Sequence, residues 1–236
     1  GLGADTLKGG AGGDADTIDG GDGIDMLDLR ELAGPIAVNL GTRQVASSLG
    51  SISGGTSKGD GTDTIANIEN LIGSGSGDTM VGSAGDNVLD GSGGGDVIDA
   101  GAGNDRVVFD ENDAKVLGGV GANDALVING ENTLVDLTLV QDSTFSGFEV
   151  LDLSSTGNQS VKLSEADVFA LTRGSAEITF PSLAAGQTFT LAGLTYIAEV
   201  ATSAAQLATA FSSLQNGATT GPGTSTGTYT GSFSGF

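Results

Sequence analysis

An aspartate or asparagine stands at the sixth position of four consecutive nine-residue blocks between residues 73 and 108. The early positions of these blocks are almost all glycine, alanine or serine, and the eighth position is always apolar. Side-chain oxygens that recur at such regular spacing could bind metal ions. The sixth-position residues are Asp78, Asn87, Asp96 and Asp105. A fifth block at residues 20–28 fits the same template, and partial copies lie at residues 1–8, 9–19 and 59–66.

Each nine-residue block predicts a turn followed by a short strand. Glycine at the early positions permits the positive φ angles of a tight turn. The last three positions suit a strand whose central apolar side chain points inward. Two blocks then form one 18-residue coil, and successive coils stack as parallel strands. In this predicted parallel β-roll, Asp78 lies above Asp96 and Asn87 lies above Asp105.

The stacked aspartates repel one another unless a cation lies between them. Carboxylates on adjacent coils would stand about 5 Å apart, where the repulsion is roughly 3 to 4 kcal/mol at an effective dielectric constant near 20. Burying one Leu, Ile or Met in each block contributes only about 1.5 to 3 kcal/mol. The metal-free roll is therefore expected to be marginal or unfolded. Calcium suits this oxygen-only ligand set better than magnesium, which demands a tight octahedron, or zinc, which prefers nitrogen and sulfur.

The composition excludes several classes of function. The 236 residues carry 30 acidic and 8 basic side chains, for a formal net charge of −22, and include no histidine and no cysteine. The chain therefore cannot build a Ser-His-Asp or Cys-His catalytic site, a disulfide or an iron–sulfur cluster. Nucleic acids and anionic membranes are bound through basic patches, so neither is expected as a partner. No run of about 18 apolar residues predicts a transmembrane segment.

The template G-G-x-G-x-D-x-U-x, where U is apolar, resembles the calcium-binding nonapeptide of the repeat-in-toxin (RTX) proteins. Residues 20–28 match it most fully, and residues 73–108 match it in tandem. Residues 34–45 and 63–74 also resemble the spacer that such proteins place between repeat blocks. The resemblance implies a parallel β-roll that binds several Ca²⁺ ions. It also implies type I secretion from a Gram-negative bacterium, with the chain unfolded in the cytosol and folding outside.

The resemblance also implies a set of calcium ligands. Asn87 lacks the charge of the family's aspartate, and serine replaces the second glycine at Ser74, Ser83 and Ser92. An insertion in residues 9–19 leaves open whether Asp14 or Asp16 is the ligand there. The ninth-position acids Asp19, Asp28, Asp90 and Asp99 are expected to be solvated strand flanks. The implied side-chain ligands are Asp5, Asp14 or Asp16, Asp25, Asp63, Asp78, Asn87, Asp96 and Asp105, and the implied carbonyl ligands are Gly73, Gly75, Gly82, Gly91 and Gly93.

The pattern changes along the chain and predicts three segments in an all-β fold. Residues 1–108 form the calcium β-roll, with a spacer at residues 29–58. Residues 109–173 form a β-rich continuation that caps the roll, with a short helix at residues 164–172. Residues 174–236 are rich in Thr, Ser and Ala and nearly uncharged. They predict a small β-sheet with strands between residues 175 and 200, and one helix at residues 203–214 that begins at a Ser203–Gln206 capping box.

The third segment resembles Thr-rich domains of large bacterial surface proteins. The tail TGTYTGSFSGF either begins a strand of such a domain, which would then be incomplete, or is an unstructured C-terminus. The chain also opens on a glycine, which suggests a processed product or a piece of a longer protein.

Two classes of function follow. No catalysis is expected, because the aspartates stand at metal-ligand spacing and the chain has no tryptophan that could form a sugar platform. The preferred prediction is a secreted, extracellular structural protein that binds calcium on a bacterial cell surface, such as a surface-layer, filament or adhesin subunit that self-associates. The alternative is the calcium-binding module of a longer secreted protease, lipase, polysaccharide-modifying enzyme or toxin.

Overall fold

A computed structural model describes most of the chain. The described residues are 1–9, 13–59, 61–129, 134–139, 144–153, 160–162, 177–179, 182–191, 194–211, 219 and 227–231. They divide into two compact units: the repeat unit, residues 1–126 and 144–148, and the C-terminal unit, residues 127–143 and 149–236. The predicted segment borders at residues 108 and 173 stay predictions. The predicted helix at residues 164–172 lies outside the described residues.

Short strands dominate both units, and the all-β class with its parallel roll is confirmed. In chain order the strands are β1 (Thr6–Lys8), β2 (Thr17–Asp19), β3 (Met26–Asp28), β4 (Ala37–Asn39), β5 (Val45–Ser47), β6 (Gly50–Ile52), β7 (Thr56–Lys58), β8 (Thr62–Ala66), β9 (Asn70–Ile72), β10 (Thr79–Val81), β11 (Val88–Asp90), β12 (Val97–Asp99), β13 (Arg106–Phe109), β14 (Lys115–Leu117), β15 (Ala125–Ile128), β16 (Leu134–Asp136), β17 (Phe145–Ser146), β18 (Val150–Asp152), β19 (Ser160–Lys162), β20 (Glu177–Thr179), β21 (Thr188–Leu191), β22 (Leu194–Ala198) and β23 (Gly227–Gly231). A short 3₁₀ helix spans Leu137–Leu139, and helix α1 spans Ala204–Ala210.

Two sheets form the repeat unit. The first sheet has the strand order β1-β3-β9-β11-β13-β15, and the second has the order β17-β14-β12-β10-β4-β7-β8-β2. The register pairs Leu89 with both Leu71 and Val107, so the coil is 18 residues long, as the template predicts. Because every second strand returns to the same sheet, the eighth-position side chains stack into a continuous core. Its fully or almost fully buried residues include Leu27, Leu71, Leu89, Val107, Val38, Met80, Ile98 and Val116.

The predicted spacer interrupts the parallel order. Strand β7 pairs antiparallel with β4 and with β8, and β5 and β6 form a separate antiparallel hairpin. This departure has a consequence for the metal sites, since Ser57 of β7 contacts the sixth-position Asp63. Beyond residue 108 the parallel pairing continues, because β14 adds to β12 and β17 adds to β14.

The C-terminal unit combines parallel pairs with an antiparallel sheet. Strand β16 pairs with β19 and β18 pairs with β20, both in parallel, whereas β21, β22 and β23 form the antiparallel sheet. Strand β23 shows that residues 227–231 of the tail are extended and paired. Four aromatic rings, those of Phe189, Tyr196, Phe211 and Tyr229, pack edge-to-face in this unit.

Helix α1 begins as predicted and ends early. Ser203 and Gln206 form the predicted capping box, and Leu207 is fully buried. The predicted end at residue 214 is wrong, since Phe211 leaves the helical conformation with φ −103° and ψ 2° and serves as the C-cap. Phe211 is still buried against the aromatic rings, as its place on the apolar face predicts.

Candidate metal centres

The residues that precede the strands of the first sheet form a column that we call the first ladder. Each carboxylate after the first, Asp5, accepts a hydrogen bond from the backbone N–H of the ladder residue one coil earlier. The backbone N–H of Asp5 donates a hydrogen bond to Asp25 Oδ1 at 2.7 Å, and the backbone N–H of Asp25 donates one to Glu69 Oε2 at 2.8 Å. The same contact recurs further along, at 2.8 and 2.9 Å. In order, the members are Asp5, Asp25, Glu69, Asn87, Asp105 and Asp124.

A second ladder runs along the second sheet in two parts, which strands β4 and β7 separate. Asp63 Oδ1 accepts a hydrogen bond from the backbone N–H of Asp16 at 3.0 Å, and Asp96 Oδ1 accepts one from the backbone N–H of Asp78 at 2.8 Å. Asp113 follows, since its carboxyl interacts with the backbone N–H of Asp96. Asp16 occupies the ladder position and Asp14 does not, and which of the two binds calcium stays a prediction. Both side chains are exposed.

Several ladder carboxylates keep one oxygen that nothing in the described chain satisfies. These atoms include Oδ2 of Asp25, Asp96 and Asp105 and Oδ1 of Asp113, all buried and without a hydrogen-bond partner among the described residues. The first three side chains are 0% exposed and Asp113 is 6% exposed. A buried carboxylate oxygen with no donor is strongly unfavourable, whereas a bound cation would satisfy it. These residues therefore fit calcium.

Glycine at the first position of two repeats makes room beside these oxygens. A Cβ added to Gly91 would lie 2.0 Å from Asp96 Oδ2, and one added to Gly20 would lie 2.5 Å from Asp25 Oδ2. A side chain at Gly20 or Gly91 would fill the space that faces the free oxygen, whereas the repeat of Asp105 begins with Ala100. Of the predicted carbonyl ligands, Gly73, Gly82 and Gly91 are buried, Gly93 is half-buried and Gly75 is exposed. Their role as ligands stays a prediction.

Three sixth-position side chains already have protein partners. Asp63 Oδ2 accepts the Ser57 hydroxyl at 2.7 Å. Asp78 accepts three hydrogen bonds, from the N–H groups of Ile36 and Ser74 at 2.9 and 2.7 Å and from the Ser74 hydroxyl at 2.9 Å.

Asn87 is the third of these side chains. It accepts the N–H of Ser83 at 2.7 Å and donates to the Glu69 carbonyl at 2.6 Å. A metal ion at Asp63, Asp78 or Asn87 would compete with these groups. Ser74 and Ser83, which depart from the glycine template, each donate a backbone N–H and a hydroxyl group, to Asp78 and to Asn87. The buried oxygens without partners lie elsewhere.

Three ladder residues are absent from the ligand set predicted from the sequence. Glu69 stands nine residues before Asp78 and could have been found by extending the period backward. Asp124 ends GGVGAND, residues 118–124, which is the template with one extra residue. Asp113 follows no glycine-rich turn at all, and nothing in the local sequence marks it.

The ninth-position acids have a structural role. Asp19 and Asp90 each accept the N–H of the residue two places further on, at 3.1 and 2.8 Å, and so begin the next turn. Asp28 does the same with Arg30 and is only 6% exposed. Its carboxylate also accepts two hydrogen bonds from the Arg30 guanidinium at 2.7 and 3.0 Å, which lower the pKa of Asp28 to about 2. The prediction of a solvated Asp28 is therefore wrong.

Burial raises the pKa of the ladder carboxyls because the charged form loses its hydration. The pKa of Asp96 and that of Asp105 rise to about 7, and that of Asp113 rises to about 6. Neighbouring carboxylates add to these increases. Asp113 raises the pKa of Asp96, and Asp124 raises the pKa of Asp105. The pKa of Asp78 is also raised by burial, against the lowering effect of its hydrogen bonds.

These shifts predict how the metal-free protein responds to pH. The ordinary pKa of 3.8 lies below the folded-state values of about 6 to 7 for Asp96, Asp105 and Asp113. Their contribution to stability is therefore complete below about pH 4 and is lost as the pH rises through 6 to 7. Protein stripped on a chelating resin should show a thermal midpoint that falls from pH 5 to pH 8. With saturating calcium the midpoint should not fall, and equal pH profiles in both states would contradict the assignment.

Side chains alone do not complete a metal centre. Within the described part of the chain, no group of three or more acidic side chains converges as a ligand set. Backbone carbonyls of the turns and water must therefore supply the remaining oxygens that calcium requires. In the same part of the chain, no helix has the length and apolar character needed to cross a membrane.

Comparison with known proteins identifies the repeats. A family model described as RTX calcium-binding nonapeptide repeat (4 copies) matches residues 1–27 and 72–107. No curated protein matches the chain. The predicted resemblance is confirmed: these two stretches are RTX repeats. Such repeats bind calcium and are typical of secreted proteins, and the partnerless oxygens of Asp25, Asp96 and Asp105 lie within them.

Proposed function

From these repeats we propose that the protein is an extracellular structural protein of a bacterial cell surface, such as a surface-layer, filament or adhesin subunit. Its repeat unit folds when calcium becomes available after type I secretion, and the folded chain then self-associates. The observation that carries the folding part is the set of buried carboxylate oxygens without partners. The proposal includes no catalytic step.

The folding switch follows from the ladder geometry. The ladder aligns acidic residues one coil apart, and the hydrogen bonds from backbone N–H groups hold one oxygen of each carboxylate. In Asp96 and Asp105 the second oxygen is buried, and ionisation of the carboxyl at neutral pH opposes folding. Calcium, when bound, supplies the positive charge that offsets this cost. Extracellular calcium sites typically have dissociation constants of about 10⁻⁴ to 10⁻³ M, so the cytosolic chain would stay unfolded for export.

The assembly part is supported by the antiparallel sheet of the C-terminal unit. Strands β21 and β23 lie at its two edges. The side chains of Thr228 and Thr230 on β23 are exposed. An edge strand offers unpaired N–H and C=O groups to another chain, and such strands pair readily unless charge or proline protects them. Residues 227–231 carry neither.

Sedimentation and electron microscopy test the assembly. In millimolar calcium we expect particles larger than one chain, or filaments, and in excess chelator a single species with the mass of one chain. Millimolar magnesium is the matched control and should not produce assembly, because magnesium demands a near-ideal octahedron and gives up its water ligands reluctantly. A strictly monomeric, calcium-loaded particle would contradict the assembly role and favour the calcium module of a longer secreted enzyme or toxin.

A further inference from the structure

The last two carboxyls of the second ladder, those of Asp96 and Asp113, precede the paired strands β12 and β14. Asp96 is fully buried and Asp113 is 6% exposed. Asp96 Oδ2 and Asp113 Oδ1 are both buried, and neither has a hydrogen-bond partner in the described chain. Each carboxyl acts on the pKa of the other. Two acidic groups in this arrangement must share either a proton or a cation.

An irregular pairing brings Asp113 to this place. The N–H groups of Ala114 and Lys115 both donate to the Asp96 carbonyl, at 2.9 and 3.0 Å, so two residues of one chain segment oppose one of the other. Asp113 therefore stands one residue short of the 18-residue spacing that separates Asp78 from Asp96. The bulge places Asp113 where the sixth residue of a repeat would lie.

The turn before Asp113 replaces the glycine-rich loop of the repeats. Asp113 Oδ2 accepts the N–H of Asp110 at 2.9 Å, and Asp110 Oδ1 accepts the N–H of Asn112 at 2.8 Å. The Asn112 carbonyl packs against the preceding turn, since a Cβ added to Gly95 would lie 3.4 Å from it. No glycine stands between residues 109 and 117, and the family match ends at residue 107. The repeat pattern does not account for this turn.

The surroundings favour a cation over a shared proton. The main charged groups that act on this pair are other carboxylates: Asp78 on Asp96, and Asp110 on Asp113. Burial and these neighbours raise the pKa of Asp96 to about 7 and that of Asp113 to about 6, so a cation would relieve the cost of ionising both. The available ligands are carboxylate and carbonyl oxygens, which are the ligands of hard divalent ions.

We propose that Asp96 and Asp113 form a calcium site between the last nonapeptide of the second ladder and the turn at residues 110–113. The site lies outside the nonapeptide template and closes the ladder where the glycine-rich turns end. The inference rests on the proposed calcium-dependent folding of the repeats. Asp96 Oδ2 and Asp113 Oδ1 would hold the ion, and the turn would supply carbonyl oxygens.

Counting bound ions in two matched variants tests the site. Asp113→Asn removes one charge from the pair, and Asp110→Asn removes one charge from the same turn while keeping the Oδ1 acceptor for Asn112. Native mass spectrometry of the full chain in calcium should show one ion fewer for D113N and no change for D110N. In excess chelator D113N should melt at a higher temperature than the unaltered chain, because one buried charge is gone.

The outcomes separate this site from the proposed function. If D113N keeps the full ion count while the unaltered chain still folds with calcium, the pair holds only a proton and the inference is overturned. If D110N also binds one ion fewer, the loss reflects the charge of the turn and not the Asp96–Asp113 pair. This result would also overturn the inference. If the unaltered chain binds no calcium, the proposed function itself fails. In excess chelator, a lower melting temperature for D113N than for the unaltered chain would contradict the argument from buried charge.

Discussion

In excess chelator at neutral pH, the repeat unit is expected to lose most of its β-structure and to regain it when calcium is restored. The cause is the set of buried carboxylates in the two ladders. Each pair of ionised neighbours one coil apart costs roughly 3 kcal/mol at an effective dielectric constant near 20. Whole domains are stable by only about 5 to 15 kcal/mol, so a few such pairs suffice to unfold the roll.

Circular dichroism and hydrogen exchange measure this transition together. The dichroism should show a cooperative gain of β-signal as calcium is added to the stripped protein, with little response to magnesium. Exchange should be fast in strands β9–β13 without calcium and slow with it. The β21–β22–β23 sheet and helix α1 contain none of the described partnerless oxygens, so their protection should change less. Full β-structure and slow exchange of β9–β13 in chelator would contradict calcium-dependent folding of the repeat unit.

The regular part of the roll is predictable because each repeat carries its own turn, strand and inward side chain. The sequence period alone places Leu89 beside Leu71 and Val107, and the register agrees. Neighbouring repeats need only one another to form this contact, so local pattern and tertiary structure coincide. The stacking of Asp78 on Asp96 follows from the same period and is also observed.

The irregular parts depend on contacts that no local pattern encodes. Strand β7 of the spacer pairs with β8 in the second sheet, and its Ser57 hydroxyl donates a hydrogen bond to Asp63. The repeat template does not predict this donor, because Ser57 lies outside the repeat that contains Asp63. Asp113 reaches its ladder only through the bulge opposite Asp96. The Asp28 carboxylate pairs with Arg30, a residue of the spacer that the repeat template does not cover.

The candidate ligands thus divide by the state of their second oxygen. Asp25, Asp96 and Asp105 lack a protein donor for it, whereas Asp63 and Asp78 have one. The sequence marks all five alike, because the sixth position is aspartate in each. Ser57 donates its hydroxyl to Asp63 Oδ2, and the Ser74 backbone N–H donates to Asp78 Oδ2, whereas the other three turns leave this oxygen open. Calcium dependence should accordingly be strongest in the coils of the first group.

Replacing Gly101 with alanine should destabilise the calcium-loaded roll far more than the same change at Gly93. Gly101 has φ +101°, and a Cβ added there would lie 2.3 Å from the carbonyl oxygen of Ser83 on the preceding coil. That carbonyl accepts the N–H of Ala102 at 3.1 Å, so it cannot move without breaking the contact between coils. Backbone strain alone costs about 1 to 3 kcal/mol, and separating the coils adds to it.

Gly93 is the matched control for this substitution. A Cβ added to Gly93 meets no atom within 4 Å, and its φ lies outside the positive range. Gly93→Ala also keeps the backbone carbonyl that the RTX resemblance assigns to calcium. Denaturant unfolding in saturating calcium should therefore show a loss of at least about 2 kcal/mol for G101A and less than about 0.5 kcal/mol for G93A. The apparent calcium affinity should fall only in G101A, because the sites lie between stacked coils. Equal losses in the two variants would show that close backbone approach does not hold the turns together.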